Sequence, residues 1–408
     1  MAVPPARRSS QASAPQRGKA VADVAGPARP SLSPRVAPML AAGAAEAFAI
    51  LDRARALRAE GRDVIALSIG QPEEPAPAAV IRAAQAALAA GRTGYAPLLG
   101  DPALRAAIAH ARGVTPEEVV VLPGAQAALA AVLHLVCGEG DELLSPDPHY
   151  ATYAGTAASA GARLVAVPTD PPGFALDVGQ LAAAVTPRTR AVLVNTPANP
   201  TGRAIDAAGF RALAALCEAH DLWLISDEVY GSLNYVGAHV SALVHGPAGR
   251  TIVLDSLSKS HAMTGFRIGW AIAPAHLMPA FEEWSAAAIF GVPPFVQDAA
   301  LAALAIPKAE LRPYRAGFAR RARLAADRLA GLPGCTLVPP DGGMFAFLHV
   351  GGDDLAFARA LLEATGVCVL PGSAFGAAGR GHVRISLTPA DARLADGLAR
   401  LAAFVSRR

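Results

Sequence analysis

Hydrophobic residues recur at two spacings along the chain, and each spacing predicts one type of element. From Ala41 to Arg58 apolar residues return every three or four positions, which predicts a helix. Short continuous apolar runs follow, and such runs are typical of strands buried on both faces. They lie at 64–69, 119–122, 191–194, 222–225 and 251–254. Because helical stretches separate these runs, we expect an α/β fold whose mainly parallel central sheet is flanked by helices.

The pattern changes near residue 306, and the change predicts a second, smaller α+β domain. An arginine-rich amphipathic helix is expected from Leu311 to Leu329 and a closing helix from Pro389 to Val405, with strands punctuated by Pro and Gly between them. The predicted division is a tail over 1–35, a segment over 36–69 that joins the small domain, a large domain over 70–305 and the small domain over 306–408.

Composition limits what the chain can bind. The tail is rich in Pro, Ala, Ser and Arg, so we expect it to be disordered. It holds six basic residues and one acidic residue, whereas the whole chain has a net charge of only +3, so nucleic acid is not an expected partner. No apolar run reaches the roughly 18 residues of a membrane helix, and no membrane partner is expected. Four widely spaced cysteines match no metal motif, which favours reduced thiols in a cytoplasmic protein without a metal site.

Lysine is rare in this chain, and one lysine follows a predicted strand directly. Of 36 basic residues only Lys19, Lys259 and Lys308 are lysines. A lysine amine forms a Schiff base with a carbonyl compound, which arginine cannot do. Ligands of parallel α/β sheets bind beyond the carboxyl ends of the strands, where Lys259 lies. Lys259 is therefore the predicted nucleophile for pyridoxal 5'-phosphate, an aldehyde cofactor that acts as an electron sink.

An acyl-transfer function is the alternative interpretation of the residues around Lys259. Ser256 and Lys259 also form the Ser-x-x-Lys pattern of penicillin-recognising serine enzymes. Those enzymes need a Lys-Thr-Gly element as well, and the three lysines here are followed by Ala, Ser and Ala. The sequence therefore favours the cofactor interpretation.

Three more polar motifs follow predicted strands. Asn199 lies in Asn-Thr-Pro-Ala-Asn-Pro-Thr-Gly, and its amide can donate to a phenolic oxygen. Asp227 can keep a pyridine nitrogen protonated, and Tyr230 lies three residues further on. Gly124 precedes an apolar helix and permits a phosphate to approach the amides of the helix N-terminus. Each motif alone is also compatible with an ordinary turn.

Together and in this order, the motifs resemble the fold-type I pyridoxal-phosphate enzymes and, more narrowly, the class I/II aminotransferases. The order is Gly-x-Gln, Asn-Pro-Thr-Gly, Asp-x-x-Tyr, and Ser-x-Ser-Lys with an Arg eight residues on. The resemblance spans about residues 36–408. It implies transfer of an amino group between an L-amino acid and a 2-oxo acid, with pyridoxal 5'-phosphate bound to the large domain of a homodimer. The string that begins at Ser256 also resembles pyruvate-using transaminases of basic or branched amino acids.

The resemblance implies a role for each matching residue. Lys259 would bond to the cofactor and later carry the substrate proton, and Asp227 would pair with the pyridine nitrogen. Arg384, in His-Val-Arg-Ile-Ser, would bind the substrate carboxylate with help from Asn199 and the backbone of Gly70. The other implied cofactor contacts are Asn199 and Tyr230 to the ring hydroxyl, Tyr150 stacked on the ring where relatives have Trp, Gly124, Ala125, Gln126, Ser256, Ser258 and Arg267 around the phosphate, and Tyr95 acting on the phosphate of the other subunit.

Two other functions share parts of this pattern. Pyridoxal-phosphate C–S lyases have the same fold, and the motifs do not separate them from transaminases. Some bacterial transcription regulators join an aminotransferase-like domain to a winged-helix domain, but the tail here has no helix-turn-helix pattern. A transaminase is therefore the favoured function, with a lyase as the alternative.

The stretch from Ser285 to Val296 bears on the choice of amino acid. In dicarboxylate-specific relatives, the resemblance implies a cationic side chain here that reaches the site of the other subunit. This stretch has no charged residue, so a buried aspartate side chain would lose hydration without gaining a partner. Neutral or basic donors, with pyruvate or another monocarboxylate as acceptor, are therefore expected.

Overall fold

Thirteen strands occur in the part of the chain that the computed structural model describes, namely Ser33, residues 36–41 and residues 45–408. The predicted tail lies outside this part except for Ser33. The strands are β1 (Ile65–Ala66), β2 (Val119–Leu122), β3 (Glu142–Asp147), β4 (Arg163–Pro168), β5 (Thr189–Asn195), β6 (Trp223–Asp227), β7 (Thr251–Ser256), β8 (Gly269–Ile272), β9 (Thr336–Leu337), β10 (Phe345–His349), β11 (Val367–Cys368), β12 (Leu370–Pro371) and β13 (His382–Ser386).

Helices alternate with these strands through most of the chain. None of the described helices is long and apolar enough to cross a membrane. The helices are α1 (Val36–Ala41), α2 (Ala45–Ala59), α3 (Ala78–Ala89), α4 (Pro102–Arg112), α5 (Ala125–Val136), α6 (Tyr153–Ser159), α7 (Val178–Ala183), α8 (Ala207–Ala219), α9 (Ala242–His245), α10 (Leu257–Ser260), α11 (Met278–Ala288), α12 (Pro294–Leu304), α13 (Arg312–Leu329), α14 (Asp354–Thr365) and α15 (Asp391–Val405).

The central sheet has seven of the described strands in the order β2-β8-β7-β6-β5-β3-β4. Only β8 runs against its neighbours, and the pairs from β7 to β4 are all parallel. Alternate residues of β2 show that both faces are covered: Val119 and Val121 belong to one apolar core, and Val120 and Leu122 belong to another. This confirms the predicted α/β fold with a mainly parallel sheet, because a sheet covered on both faces needs continuous apolar strands.

A second sheet lies in the C-terminal part of the chain. It is antiparallel, with the order β12-β13-β10-β9, and β1 pairs separately with β11. A third apolar core joins α2 and β1 to α13, α14 and α15. Within the segment over 36–69, α2 and β1 therefore pack on the C-terminal elements, whereas α1 contacts α6. The domain boundaries remain a prediction, because the described residues from 36 onward belong to one compact unit.

Several predicted elements have different bounds in the structure, and the first helix and the first strand differ most. The helix expected over 41–58 is α2, which begins at Ala45, and α1 precedes it as a separate helix. The strand expected over 64–69 pairs only at Ile65 and Ala66. Beyond β1 the backbone leaves that pairing, and the carbonyl of Leu67 accepts a hydrogen bond from the amide of Ser386 at 2.8 Å. The carbonyls of Ser68 and Gly70 then accept hydrogen bonds from the side chains of Arg384 and Lys259 instead of from a neighbouring strand.

Candidate active site

The carboxyl ends of three adjacent parallel strands meet the N-terminus of α5 at one cleft. β5 ends at Asn195, β6 at Asp227 and β7 at Ser256, and the strands are neighbours in the sheet. The cleft encloses a cavity of about 190 Å³. Ten of the predicted site residues line it: Ala125, Gln126, Tyr150, Asn199, Asp227, Tyr230, Ser256, Ser258, Lys259 and Arg267.

Lys259 lies on α10, a single helical turn directly after β7. The hydroxyl of Ser256 caps this turn by accepting a hydrogen bond from the amide of Ser258. The Lys259 amine donates to the carbonyl oxygen of Gly70 at 2.7 Å. Burial, together with the charges of Arg384 and Arg267, lowers the pKa of this amine to about 8. A much larger fraction of it is therefore neutral, and so nucleophilic, at physiological pH than for an exposed lysine.

Asp227 is a buried carboxylate at the floor of the cleft. Its oxygens accept hydrogen bonds from the hydroxyl of Tyr153 at 2.6 Å and from the amide of Val229 at 3.3 Å. Burial raises its pKa to about 6, although these hydrogen bonds and the charge of Lys259 oppose the rise. A cationic partner placed in the cleft would favour the ionised form.

The side chain of Asn195, for which the sequence predicted no role, fixes the asparagine motif to β6. Asn195 donates from its amide to the carbonyl of Asp227 at 2.9 Å and accepts from the backbone amide of Asn199 at 2.7 Å. These bonds hold the turn that carries Asn199. Burial raises the pKa of Tyr230, whose hydroxyl also shares a hydrogen bond with the Asn199 side chain. The phenol therefore stays protonated and can donate.

Gly124 and Arg267 shape the end of the cleft nearest α5. Gly124 has φ +85°, and a Cβ added there would lie 2.5 Å from the guanidinium of Arg267. Arg267 itself adopts φ 52°, a conformation that nonglycine residues seldom take outside functional sites. Among the described residues Arg267 forms no ion pair and bonds only to the carbonyls of Thr264 and Pro123. Its charge is thus available to an anion, beside the first amides of α5 that lack intrahelical partners.

The side chain of Gln126 has no role toward a ligand here. Its amide nitrogen donates to Thr156 at 2.7 Å, and its oxygen accepts from Thr152 at 2.8 Å. These bonds tie α5 to α6. Only the backbone amide of Gln126 is thus left for a phosphate.

Arg384 is a buried cation next to the cleft. It is 5% exposed and contacts two aromatic rings, with its guanidinium carbon 4.0 Å from the centre of Phe345 and 4.7 Å from that of Phe375. It donates to the Asn199 side chain at 3.0 Å and to the carbonyl of Ser68 at 2.6 Å. Within the described chain no carboxylate pairs with it and its Nε has no partner. Burial accordingly lowers its pKa to about 10.

Tyr95 is the one predicted residue that its own chain does not bring to the cleft. Its side chain is 85% exposed, and its ring packs edge-on against Phe290, which is 53% exposed, at 4.7 Å. Phe290 belongs to the uncharged stretch between Ser285 and Val296. The two features that were predicted to act on another subunit therefore form one exposed aromatic pair.

Sequence analysis missed Tyr153 and Glu228. Tyr153 lines the cleft and lies three residues after Tyr150. Because the chain has only six tyrosines, a second tyrosine so close to a predicted site residue could have indicated its role. Glu228 follows Asp227 directly, yet it points away from the cleft and bonds to Arg112 on α4. No group of three or more metal-ligating side chains suited to an ion occurs among the described residues.

Known proteins match this chain over nearly its whole length. The family described as aminotransferase class I and II matches residues 62–401. Arginine–pyruvate transaminase AruH of Pseudomonas aeruginosa is 45% identical over 359 residues, covering 85% of this chain and 91% of that protein. The aspartate aminotransferase of Geobacillus stearothermophilus is 35% identical over 88% of this chain and 96% of its own length.

Solved structures agree with the sequence matches. The aspartate aminotransferase from Thermus thermophilus with maleate superposes with a TM-score of 0.86 at 35% identity, covering 92% of this chain and all of that one. The fold, the cleft and the sequence matches thus lead to one assignment. The chain belongs to the class I and II aminotransferases, enzymes that use pyridoxal 5'-phosphate to transfer amino groups.

Proposed function

We propose that this enzyme moves the amino group of a neutral or basic L-amino acid to a monocarboxylic 2-oxo acid such as pyruvate. The observation that carries the proposal is the buried guanidinium of Arg384, which has no carboxylate partner among the described residues. A buried cation is costly unless an anion pairs with it. The carboxylate common to amino acids and 2-oxo acids supplies that anion, and the planar fork of Arg suits it.

The residues of the cleft fit pyridoxal 5'-phosphate. One end offers the first amides of α5 with Arg267, Ser256 and Ser258 for the phosphate, and Gly124 leaves the space that a Cβ would occupy. At the floor, Asp227 suits a protonated ring nitrogen, and Asn199 and Tyr230 suit the ring hydroxyl. Tyr150 provides an aromatic face, and Lys259 provides the amine for the aldehyde carbon. When bound, the cofactor supplies an electron sink for charge that develops at the substrate α-carbon.

Lys259 would also carry the proton. With its pKa lowered to about 8 by burial and by nearby Arg384 and Arg267, the amine can accept a proton and give it back near neutral pH. The carbonyl of Gly70 holds the amine by a hydrogen bond at 2.7 Å. Arg384 fixes the substrate carboxylate, so the α-proton would be held within reach of the Lys259 amine.

The proposed donor class rests on the uncharged stretch from Ser285 to Val296. Phe290 in this stretch is exposed and would form part of the side-chain pocket in an adjoining subunit. An apolar pocket accepts a neutral side chain, whereas an aspartate side chain would lose hydration there without a cation, and a basic side chain would need an anion from outside this stretch. A relative named arginine–pyruvate transaminase supports a basic donor with pyruvate, although other relatives are aspartate aminotransferases.

The proposed active unit is a homodimer. Exposed apolar side chains lie on α3 (Ile81 and Leu88) and on α12 (Leu301), two helices that pack together. These side chains and the pair Tyr95 and Phe290 are large exposed apolar groups, and such groups are typical of a protein interface when they cluster. In such a dimer Tyr95 would reach the phosphate site of the other chain, since it lies outside its own cleft.

The proposal is tested by single-turnover reactions of the holoenzyme with alanine, leucine, arginine and aspartate. We expect each productive amino acid to convert the bound cofactor to its amine form and to release a 2-oxo acid, with kcat/KM for arginine or leucine well above that for aspartate. A parallel reaction with an S-substituted cysteine, which has the sulfur leaving group that a C–S lyase needs, tests the alternative: release of the thiol, ammonia and pyruvate without the amine form would indicate the lyase. A preference for aspartate would overturn the proposed donor class and leave the aminotransferase assignment intact.

A further inference from the structure

Tyr153 is a buried phenol in the wall of the cleft. It begins α6, is 1% exposed and packs edge-on against Tyr150 with ring centres 5.6 Å apart. On its other side lies a second cavity of about 390 Å³, lined in part by Pro146 and Phe174. Tyr153 therefore lines both cavities, and its hydroxyl is the polar atom directed at Asp227.

The contact between Tyr153 and Asp227 is short and has no substitute nearby. The hydroxyl donates to the carboxylate at 2.6 Å, within the range of hydrogen bonds to an ionised acceptor. The amide of Val229 donates a longer hydrogen bond to Asp227, at 3.3 Å. Among the described residues no other side chain donates to Asp227 and no cation forms an ion pair with it. Tyr153 is thus the one side chain that holds this carboxylate.

We propose that Tyr153 is a positioning residue that keeps the Asp227 carboxylate ionised and in a fixed orientation for its charge pair with the ring nitrogen of the cofactor. This inference rests on the role proposed above for Asp227. The phenol itself would touch neither the cofactor nor the reacting atoms. It would act through the strength of the charge pair.

The electrostatics of Asp227 support this role. Burial raises the pKa of Asp227, and the nearby charge of Glu228 raises it further. The hydrogen bond from Tyr153, the amide of Val229 and the charge of Lys259 oppose this rise. Tyr153 itself stays protonated, because burial and the charge of Asp227 raise its own pKa. Removal of its hydroxyl therefore leaves a carboxylate that is more easily protonated and pairs less well with a cation.

The test compares Tyr153→Phe with wild type, because Phe keeps the ring and removes only the hydroxyl. We expect the dissociation constant of pyridoxal 5'-phosphate, titrated into the apoenzyme by fluorescence, to rise about tenfold, which is about 1.4 kcal/mol. A weaker charge pair leaves the cofactor ring less electron-withdrawing. The pH midpoint of the visible absorbance band of the holoenzyme should therefore move to higher pH.

Tyr235→Phe is the matched control. The hydroxyl of Tyr235 donates to the carbonyl of Gly343 and makes no contact with Asp227. Its loss should leave both the cofactor affinity and the absorbance midpoint at wild-type values. Replacement of Tyr153 by 3,5-difluorotyrosine has the opposite effect, because its phenol is a stronger hydrogen-bond donor. The absorbance midpoint should then move to lower pH. This second variant keeps the test valid if Tyr153→Phe is poorly folded.

Asp227→Asn separates this inference from the proposed function. In that background Tyr153→Phe should weaken cofactor binding less than about twofold further, because the carboxylate on which the phenol acts is gone. Two results would overturn this inference alone. One is an equal loss of cofactor affinity from Tyr153→Phe in the wild-type and Asp227→Asn backgrounds. The other is wild-type cofactor affinity and absorbance midpoint in Tyr153→Phe, while Asp227→Asn binds the cofactor weakly. Wild-type cofactor affinity in Asp227→Asn would overturn the proposed role of Asp227 and this inference with it.

Discussion

At the scale of single residues, the surroundings of Arg384 explain why a charge is buried without an anion. The guanidinium lies over the rings of Phe345 and Phe375, and such cation–aromatic contacts partly offset the lost hydration. Asn199 and the carbonyl of Ser68 accept two of its hydrogens. A guanidinium has five N–H groups, so within the described chain Arg384 keeps unpaired donors, and a substrate carboxylate can accept from them. The free enzyme is thus preorganised for an anionic ligand.

Replacement of Arg384 is therefore expected to impair the amino acid and spare the cofactor. Truncation of a buried charged hydrogen-bonding group in a binding site costs about 2–5 kcal/mol, so KM for the amino donor should rise more than tenfold in Arg384→Ala. Arg384→Lys should restore little, because an ammonium cannot form two parallel bonds. Steady-state kinetics and the absorbance of the bound cofactor measure the two effects. Arg380→Ala, an exposed control nearby, should behave as wild type, and unchanged KM in both Arg384 variants would assign carboxylate binding to another group.

At the scale of elements, a buried ion network holds β6 in place behind Asp227. The carboxylate of Glu228 is fully buried and pairs with Arg112 at the end of α4 at 2.5 Å and with His239 at 3.0 Å. Arg112 also reaches Asp255 on β7 at 3.4 Å. The network thus ties α4 to two strands that carry site residues. Further donors to Glu228 are the hydroxyls of Ser226 and Ser241 and the amide of Ala242.

Arg112→Ala should destabilise the fold strongly, since it leaves the buried carboxylate of Glu228 without its cation. The expected loss in free energy of unfolding is about 3–5 kcal/mol. Chemical denaturation of the holoenzyme measures it. Arg55→Ala, which removes an exposed pair with Asp52, should change stability by less than about 1 kcal/mol. Similar stability of the two variants would mean that the network contributes nothing beyond a surface pair.

Features that depend on neighbouring residues in the sequence could be predicted, whereas contacts between residues far apart in the chain could not. The runs that became β2, β5, β6 and β7 were visible because each is apolar on both faces, and the polar residues that follow each run were visible as local motifs. Tyr153 and Asp227 are 74 positions apart, and Arg112 and Glu228 are 116 apart. Such pairs depend on how the elements pack, which one-dimensional spacing does not contain. The strand predicted over 64–69 was too long for the same reason. After β1, backbone carbonyls accept hydrogen bonds from Arg384 and Lys259 instead of pairing with a neighbouring strand.

At the scale of the whole molecule, the exposed pair Tyr95 and Phe290 gives the proposed dimer a chemical role. Each chain would hold its own Lys259 and Arg384 and borrow the aromatic pair from the other chain. Oligomeric enzymes of this kind have a closed twofold interface in which each chain contributes the same residues. A shared site makes activity depend on which chain carries a given defect.

Mixing Tyr95→Phe and Lys259→Ala subunits tests this arrangement. In the mixed dimer one site carries both defects and the other carries neither, so activity should return to at most about one quarter of wild type after random exchange. The control mixes Lys259→Ala with Arg384→Ala. These residues lie in the same site of the same chain, so no mixed dimer has an intact site and no recovery is expected. Absence of recovery with Tyr95→Phe, after subunit exchange has been demonstrated, would contradict a shared site.

The most direct test of the account is to find which lysine holds the cofactor. Borohydride reduction of the holoenzyme fixes the cofactor to the amine that carries it, and peptide mass mapping then identifies that amine. We expect modification at Lys259, whose amine faces the cleft with a lowered pKa, and no fixed cofactor in Lys259→Arg. Modification at Lys19 or Lys308 with Lys259 unmodified would contradict it.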